Sequence, residues 1–238
     1  MKALILAAGK GTRLKPLTES RPKPMIPVGG RPLLERIVVQ LREAGITDLF
    51  INLHSYPESI QNHFGDGQRF GVRITYSYEP TLLGTAGAAK KLESSLKDGP
   101  FLVYYADNYV EVDLTHMISV HSEKKSMAII AVFPGQEISA SGVVEVDPHD
   151  RIQRFLEKPA PHETESRLVN AGLYLLEPDI LDSIPESEVY DFGHQLFPKI
   201  LEQGVPLYAY HLTGAVFGID TPLLLSKLES YLAQRDVA

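Results

Sequence analysis

The sequence predicts an α/β fold: a single domain with a mixed, mainly parallel sheet flanked by helices. Three observations carry that expectation. Over the first hundred residues, apolar runs of strand length alternate with amphipathic stretches of helix length. After Asp107 the alternation loosens into closely spaced strands. No internal repeat, low-complexity tract or linker interrupts the 238 residues. Strand, helix, strand in alternation brings successive strands into parallel pairing with helices on the faces. A chain of this length can bury one substantial core, and 44% apolar with 22% charged residues sets it apart from disordered sequences.

The first element is a short apolar strand, Ala3 to Ala7, ended by Gly9 and Gly11. Pro32 to Ala44 sets Leu33, Leu34, Ile37, Val38 and Leu41 on one helical stripe, with Gly45 where a C-terminal cap belongs. Asp48 to Leu53 reads as a second strand, Pro57 to Phe64 as a short helix and Val72 to Tyr78 as a third strand. A loop, Glu79 to Gly84, feeds a helix expected from about Thr85 to Leu96, and the apolar run Phe101 to Ala106 is the next strand. Beyond it come an expected helix at Leu114 to Ser122 and a strand at Met127 to Phe133. Ser141 to Val146 and Ile152 to Glu157 read as two strands joined by the turn formers Asp147-Pro148-His149-Asp150. A strand at Leu168 to Leu176 precedes expected helices near Pro178 to Ser183 and Phe192 to Glu202. Strands around Leu207 to Leu212 and Val216 to Ile219 and an amphipathic helix, Pro222 to Ala233, complete the pattern.

Composition excludes several classes. The absence of cysteine removes disulfides and thiolate metal sites, so a metal would be held by oxygen or imidazole. The eight histidines fall at no ligand spacing and read as surface or packing residues. A net charge of -7 argues against a broad nucleic-acid surface. No apolar run reaches membrane-spanning length, and the opening strand begins without the long apolar region of a signal peptide. A cytoplasmic protein with no membrane partner is therefore expected.

Against that acidic background, the segment from Gly9 to Pro24 carries five positive side chains and one negative. Such a segment is the natural place for an anionic ligand. A buried strand ending at Ala8, Gly9 and Gly11 would bring main-chain N–H groups to phosphate oxygens, and Arg13 and Lys23 could add full charges. Two common phosphate loops fail on spacing. No window supplies Gly, four residues, then Gly-Lys-Ser/Thr. The dinucleotide fingerprint needs a small residue where Leu14 stands and an acidic residue where the next strand ends at Asn52 and His54.

The stretch Leu6-Ala7-Ala8-Gly9-Lys10-Gly11-Thr12-Arg13-Leu14, followed by Pro22-Lys23-Pro24, resembles the signature of the sugar-1-phosphate nucleotidylyltransferases. It is nearest to their mannose-1-phosphate guanylyltransferase-like members. The resemblance implies a Rossmann-like nucleotidyltransferase domain over residues 1–238, with a nucleotide-binding half to about 112 and a sugar-phosphate half from about 113. It further implies that Ala8, Gly9, Gly11 and Thr12 cradle the triphosphate while Arg13 and Lys23 act on the transferring group.

Four further motifs follow in the family's order. Asp107 ends the strand Phe101 to Ala106, at the carboxyl edge where ligands of open α/β sheets bind, and the resemblance makes it a Mg2+ ligand. The family usually closes with W-x-D-I-G-T-P, whereas this chain reads Val216-Phe217-Gly218-Ile219-Asp220-Thr221-Pro222, with Gly218 in the metal aspartate's place. Asp220 is the candidate second Mg2+ ligand; Asp220 or Thr221 would equally suit the N-cap of the last helix. Leu83-Gly84-Thr85-Ala86-Gly87 resembles the base-reading loop, with Gly84 admitting the base and Thr85 pairing with its edge, and this form of the loop favours guanine. Glu157-Lys158-Pro159 and Asn170-Ala171-Gly172 resemble the sugar-phosphate motifs. In them Lys158 would grip the phosphate, and Glu157, Asn170 and the Gly142 backbone would meet the sugar; Asn170 suits a structural turn equally well.

The expected reaction is transfer of a nucleotidyl group from a nucleoside triphosphate to a sugar 1-phosphate, with GTP and mannose 1-phosphate as the first choice. A heptose or glucose phosphate with another nucleotide, or an inactive pyrophosphorylase-like regulatory subunit, are the alternatives. A glycosyltransferase is disfavoured because Asp107-Asn108-Tyr109 lacks the Asp-x-Asp metal motif. A homo-oligomer is compatible with the sequence, and would need a surface other than the hexapeptide extension some relatives use.

Overall fold

Three parallel strands stand at the start of the molecule: two are apolar runs buried along nearly their whole length, and the third alternates buried with exposed residues. In the computed structural model, which describes residues 1–9 and 11–235, these are β1 (Lys2–Leu6), β4 (Asp48–Leu53) and β5 (Arg73–Tyr78), paired β1–β4–β5. Between them lie a small hairpin, β2 (Pro27–Val28) and β3 (Arg31–Pro32), and two helices, α1 (Leu33–Glu43) and α2 (Pro57–Phe64). The hairpin has no sequence-stretch long enough to announce it. It turns on Gly29 and Gly30, whose φ values of 56° and 77° suit a two-residue turn. Helix α1 buries the expected stripe of Leu33, Leu34, Ile37, Val38 and Leu41.

The chain then enters a second compact unit. It contains α3 (Gly84–Lys91), α4 (Glu93–Leu96) and β6 (Phe101–Tyr105) as far as Tyr104. The single helix expected over Thr85 to Leu96 is broken at Leu92, whose N–H turns back to the Ala89 carbonyl at 3.0 Å. Residues Tyr105–Val110, including the short strand β7 (Asn108–Val110), return to the first unit. From Glu111 to Gly214 the second unit resumes with α5 (Leu114–Lys124), β8 (Ala128–Pro134), β9 (Gly142–Val146), β10 (Ile152–Glu157) and β11 (Leu168–Leu176). Strand β11 is its axis, pairing antiparallel with β6, β8 and β9.

The helix expected over Phe192 to Glu202 also differs. Phe192–Leu196 is π-helical, with the Leu196 N–H reaching back five residues to Asp191, before α6 (Phe197–Glu202) begins with Pro198 in its first turn. Strand β12 (Leu207–His211) then runs parallel to β8. From Ala215 onward, β13 (Val216–Gly218) and α7 (Pro222–Arg235) belong to the first unit again. The compact units are therefore interleaved along the chain. Helices alternate with strands up to β6, and β8 to β11 follow one another without a helix between them, so the mixed α/β class read from the sequence holds.

Candidate active site

In the first unit, the residues after β1 form a loop whose shape depends on one glycine. Gly11 has φ 59°, and a Cβ there would meet the Lys23 Cβ and the Thr18 methyl at 3.0 Å. The Thr18 hydroxyl closes the loop by donating to the Gly11 carbonyl at 2.9 Å. Thr12–Leu14 makes one 3-10 turn anchored by buried Leu14, which leaves Thr12 and Arg13 exposed. At Gly9 a Cβ would meet nothing within 4 Å among the described residues beyond its chain neighbours. Ala8 is buried beside it. Lys10 lies outside the described residues.

Lys23 opens a second 3-10 turn, Lys23–Met25, bracketed by Pro22 and Pro24. Its side chain is only 6% exposed, and its ammonium donates to Asp107 Oδ2 at 2.9 Å and to Asp220 Oδ1 at 2.6 Å. The Arg13 guanidinium reaches the same Asp220 oxygen at 2.8 Å. Three segments far apart in sequence, the loop carrying Arg13 and Lys23 and those carrying Asp107 and Asp220, thus contribute to one cluster. What brings the two carboxylates together is β7 pairing antiparallel with β13, so that Gly218 faces Asn108 and the Ile219 N–H donates to the Asp107 carbonyl at 3.0 Å. The helix-cap alternative for Asp220 is settled by Thr221, whose hydroxyl oxygen accepts from the Leu224 N–H at 3.3 Å. At Gly218 a Cβ would stand 3.6 Å from Asp220 Oδ2, so the position that departs from the family pattern adjoins the carboxylate offered in its stead.

A buried polar chain supports this loop. The Asn52 carbonyl oxygen at the end of β4 accepts from the Ala7 N–H at 2.7 Å, and its amide donates to Glu79 Oε1 at 2.9 Å. Both side chains are almost wholly buried. The carboxyl ends of three neighbouring strands are thereby tied together. Sequence reading met Asn52 only as a missing acidic residue; a polar side chain ending an apolar strand was the signal available.

The second unit holds the other candidates. The Thr85 hydroxyl donates to Asp191 Oδ1 at 3.0 Å and accepts from the Phe192 N–H at 2.9 Å, while its own N–H donates to Asp191 at 2.9 Å. Gly84 has φ 77°, and a Cβ there would stand 2.5 Å from the Tyr190 carbonyl oxygen. The base-reading candidates are therefore packed against the 190–192 backbone, and Asp191 emerges as a residue that motif reading did not include.

Glu157, ending β10, lies between two glycines: a Cβ at Gly142 would come 3.0 Å from its Oε2, and one at Gly193 only 2.5 Å. Burial pushes the Glu157 carboxyl above the ordinary glutamate range; Asp191 adds to the rise, while His194 and Lys158 oppose it. Lys158 follows at φ 52°, with an exposed ammonium 3.9 Å from Glu157 Oε1. Asn170 is occupied locally, accepting from the Gly172 N–H at 2.9 Å and donating to the Tyr174 hydroxyl at 2.7 Å, where β11 bulges.

A glycine loop backed by a cation–carboxylate cluster thus sits in the first unit of a mixed α/β frame. The nucleotidyl transferase family model matches residues 2–219, and the chain belongs to that family. It is 40% identical over 225 residues to a UTP–glucose-1-phosphate uridylyltransferase of Synechocystis, covering 89% of this chain and 58% of that protein. It is 36% identical over 230 residues to a mannose-1-phosphate guanyltransferase of Pichia angusta, covering 93% and 61%. The chain thus spans about three fifths of the length of these relatives. Among solved structures, a candidate glucose-1-phosphate thymidylyltransferase of Bacillus anthracis superposes with a TM-score of 0.88 at 25% identity, over 97% of this chain and 94% of that one. Among the described residues, no helix is long and apolar enough to cross a membrane.

Proposed function

We propose that the protein joins a nucleoside triphosphate to a sugar 1-phosphate, releasing pyrophosphate. A phosphate oxygen of the sugar phosphate bonds to the α phosphorus as the bond from that phosphorus to the leaving pyrophosphate breaks. The nucleophile is already an anion, so no general base is required. The demands are alignment of two mutually repelling anions and stabilisation of charge on the transferring group. Arg13 and Lys23 meet the second demand. The loop through Ala8, Gly9, Gly11 and Thr12 meets the first for the triphosphate, and Lys158 with Glu157, Gly142 and Asn170 meets it for the sugar phosphate. Gly84 and Thr85 shape the base site, the latter through Asp191.

Mg2+ is the ion this reaction uses, neutralising charge on the phosphates when bound. The donor set fits it. Asp107 and Asp220 are oxygen donors converging on one ammonium, which stands in for a cation, and among the described residues no third acidic or imidazole side chain joins them. Two carboxylates completed by water and phosphate oxygens are what Mg2+ prefers.

The observation that carries the reading is the convergence of Arg13, Lys23, Asp107 and Asp220 from three distant segments. It also favours an active protein over an inactive subunit, because Asp220 joins the cluster although Gly218 is no ligand. GTP with mannose 1-phosphate is the first choice of substrates, supported by the Leu83-Gly84-Thr85-Ala86-Gly87 loop and by the Pichia relative. UTP with glucose 1-phosphate is the second, supported by the Synechocystis relative at 40% identity. The setting is the cytoplasm. Pyrophosphate release measured over a panel of nucleotides and sugar phosphates with Mg2+ tests all of this. Release with one nucleotide and one sugar phosphate is the expected result, and no release with any pair overturns the reading.

A further inference from the structure

We infer that Lys23 is the built-in counter-cation of the Asp107–Asp220 pair, with Arg13 as its exposed second, so that the metal-free protein disfavours a bare divalent cation. This rests on the proposed nucleotidyl transfer and concerns how the same site is loaded. The Lys23 ammonium lies 2.9 Å from one carboxylate and 2.6 Å from the other, on oxygens a metal would need. Its stem is packed against Gly11, where a Cβ would stand 3.0 Å from its own Cβ, and its side chain is 6% exposed. The ammonium is therefore largely withdrawn from water and is neutralised by these carboxylates. Arg13, on the same Asp220 oxygen at 2.8 Å, is 65% exposed and contributes the weaker, screened share.

Two positive groups on two carboxylates leave the cluster neutral. A divalent cation entering alone competes with the ammonium for both carboxylates and weakens its ion pairs, which is costly for a charged side chain only 6% exposed. An incoming phosphate removes that cost by receiving the displaced ammonium. Metal and nucleotide uptake are then coupled, and the coupling is reciprocal. The glycine at position 11 gains a second meaning, since it lets the lysine stem lie where its head can serve either set of anions.

The test is Mn2+ binding without nucleotide, followed by electron paramagnetic resonance on the full chain. Lys23→Met should bind Mn2+ at least about tenfold tighter than the parent, the scale of a typical coupling between sites, and Arg13→Gln should bind it two- to threefold tighter. Asp107→Asn and Asp220→Asn should lose the binding. Equal affinity of the parent and both cation variants overturns the inference. If Lys23→Met does not fold, as circular dichroism would reveal, the exposed Arg13→Gln decides alone. If instead the two Asn variants bind Mn2+ like the parent, the assignment of the metal to these carboxylates fails, which is a separate outcome.

Discussion

The two candidate regions place carboxylates in opposite situations. Asp107 and Asp220 are held by opposite charges at 2.6 to 2.9 Å. Glu157 is held by shape, between the Cα atoms of Gly142 and Gly193, with the nearest ammonium 3.9 Å away and exposed. Charge contact presents carboxylate oxygens to cations. Desolvation without a close cation penalises ionisation and leaves a group suited to hydrogen bonding with hydroxyls. On the proposed reading, the first region suits phosphate and metal and the second a polyhydroxyl ligand.

Breaking the first region should have the largest effect. Lys23→Ala is expected to lower turnover on the order of 10²- to 10³-fold, the usual cost of removing one donor to developing charge. Thermal melts of the same variant should show a far smaller loss; equal loss of both would make Lys23 a structural residue only. Removing both carboxylates with Asp107→Asn and Asp220→Asn leaves the buried ammonium without its partners. Because the carboxylates are 39% and 33% exposed, chemical denaturation should then register a stability loss of about 1–3 kcal/mol, and no measurable loss would show that water replaces them.

The second region should break through its glycines. Gly193→Ala puts a methyl 2.5 Å from Glu157 Oε2 and 3.1 Å from the Phe155 ring. Overpacking of this kind costs roughly 1–3 kcal/mol, and KM for the sugar phosphate should rise while KM for the nucleotide holds. A change confined to the nucleotide would move the cradle's role to the other ligand.

The same contrast explains what could be read in advance. Strand and helix positions were legible where periodicity is strong: β4, α2, β10 and β11 coincide with their expected spans. The first region was legible in its members, because glycines, the Pro-Lys-Pro bracket and a strand-end aspartate are local chemistry. Its assembly was not: β13 lies within the strand expected at Val216 to Ile219, but its partner β7 is three residues long and too short to show a period. The second region was legible only as motifs. Gly193 and Asp191 belong to a π-helical turn that looks helical in sequence, and their effect on Glu157 and Thr85 depends on segments that meet only in the fold. For the same reason Thr85 looked free to read a base, although its hydroxyl is bonded to Asp191 and Phe192.

The smallest effect sharpens the comparison most directly. Burial raises the Glu157 carboxyl above the ordinary glutamate range in the folded protein. The native state then holds a proton that the unfolded chain has released, so stability from this group is fully present below the unfolded value, about pH 4.3. It is lost as pH rises through the higher folded value, because the unfolded state binds fewer protons over that window. Glu157→Gln cannot ionise and escapes the loss. Thermal melts of the two proteins from pH 4 to pH 7 should therefore diverge, the parent falling relative to Glu157→Gln as pH increases. Parallel curves would mean that Lys158 and His194 neutralise the carboxylate after all, and that both regions hold their carboxylates by charge.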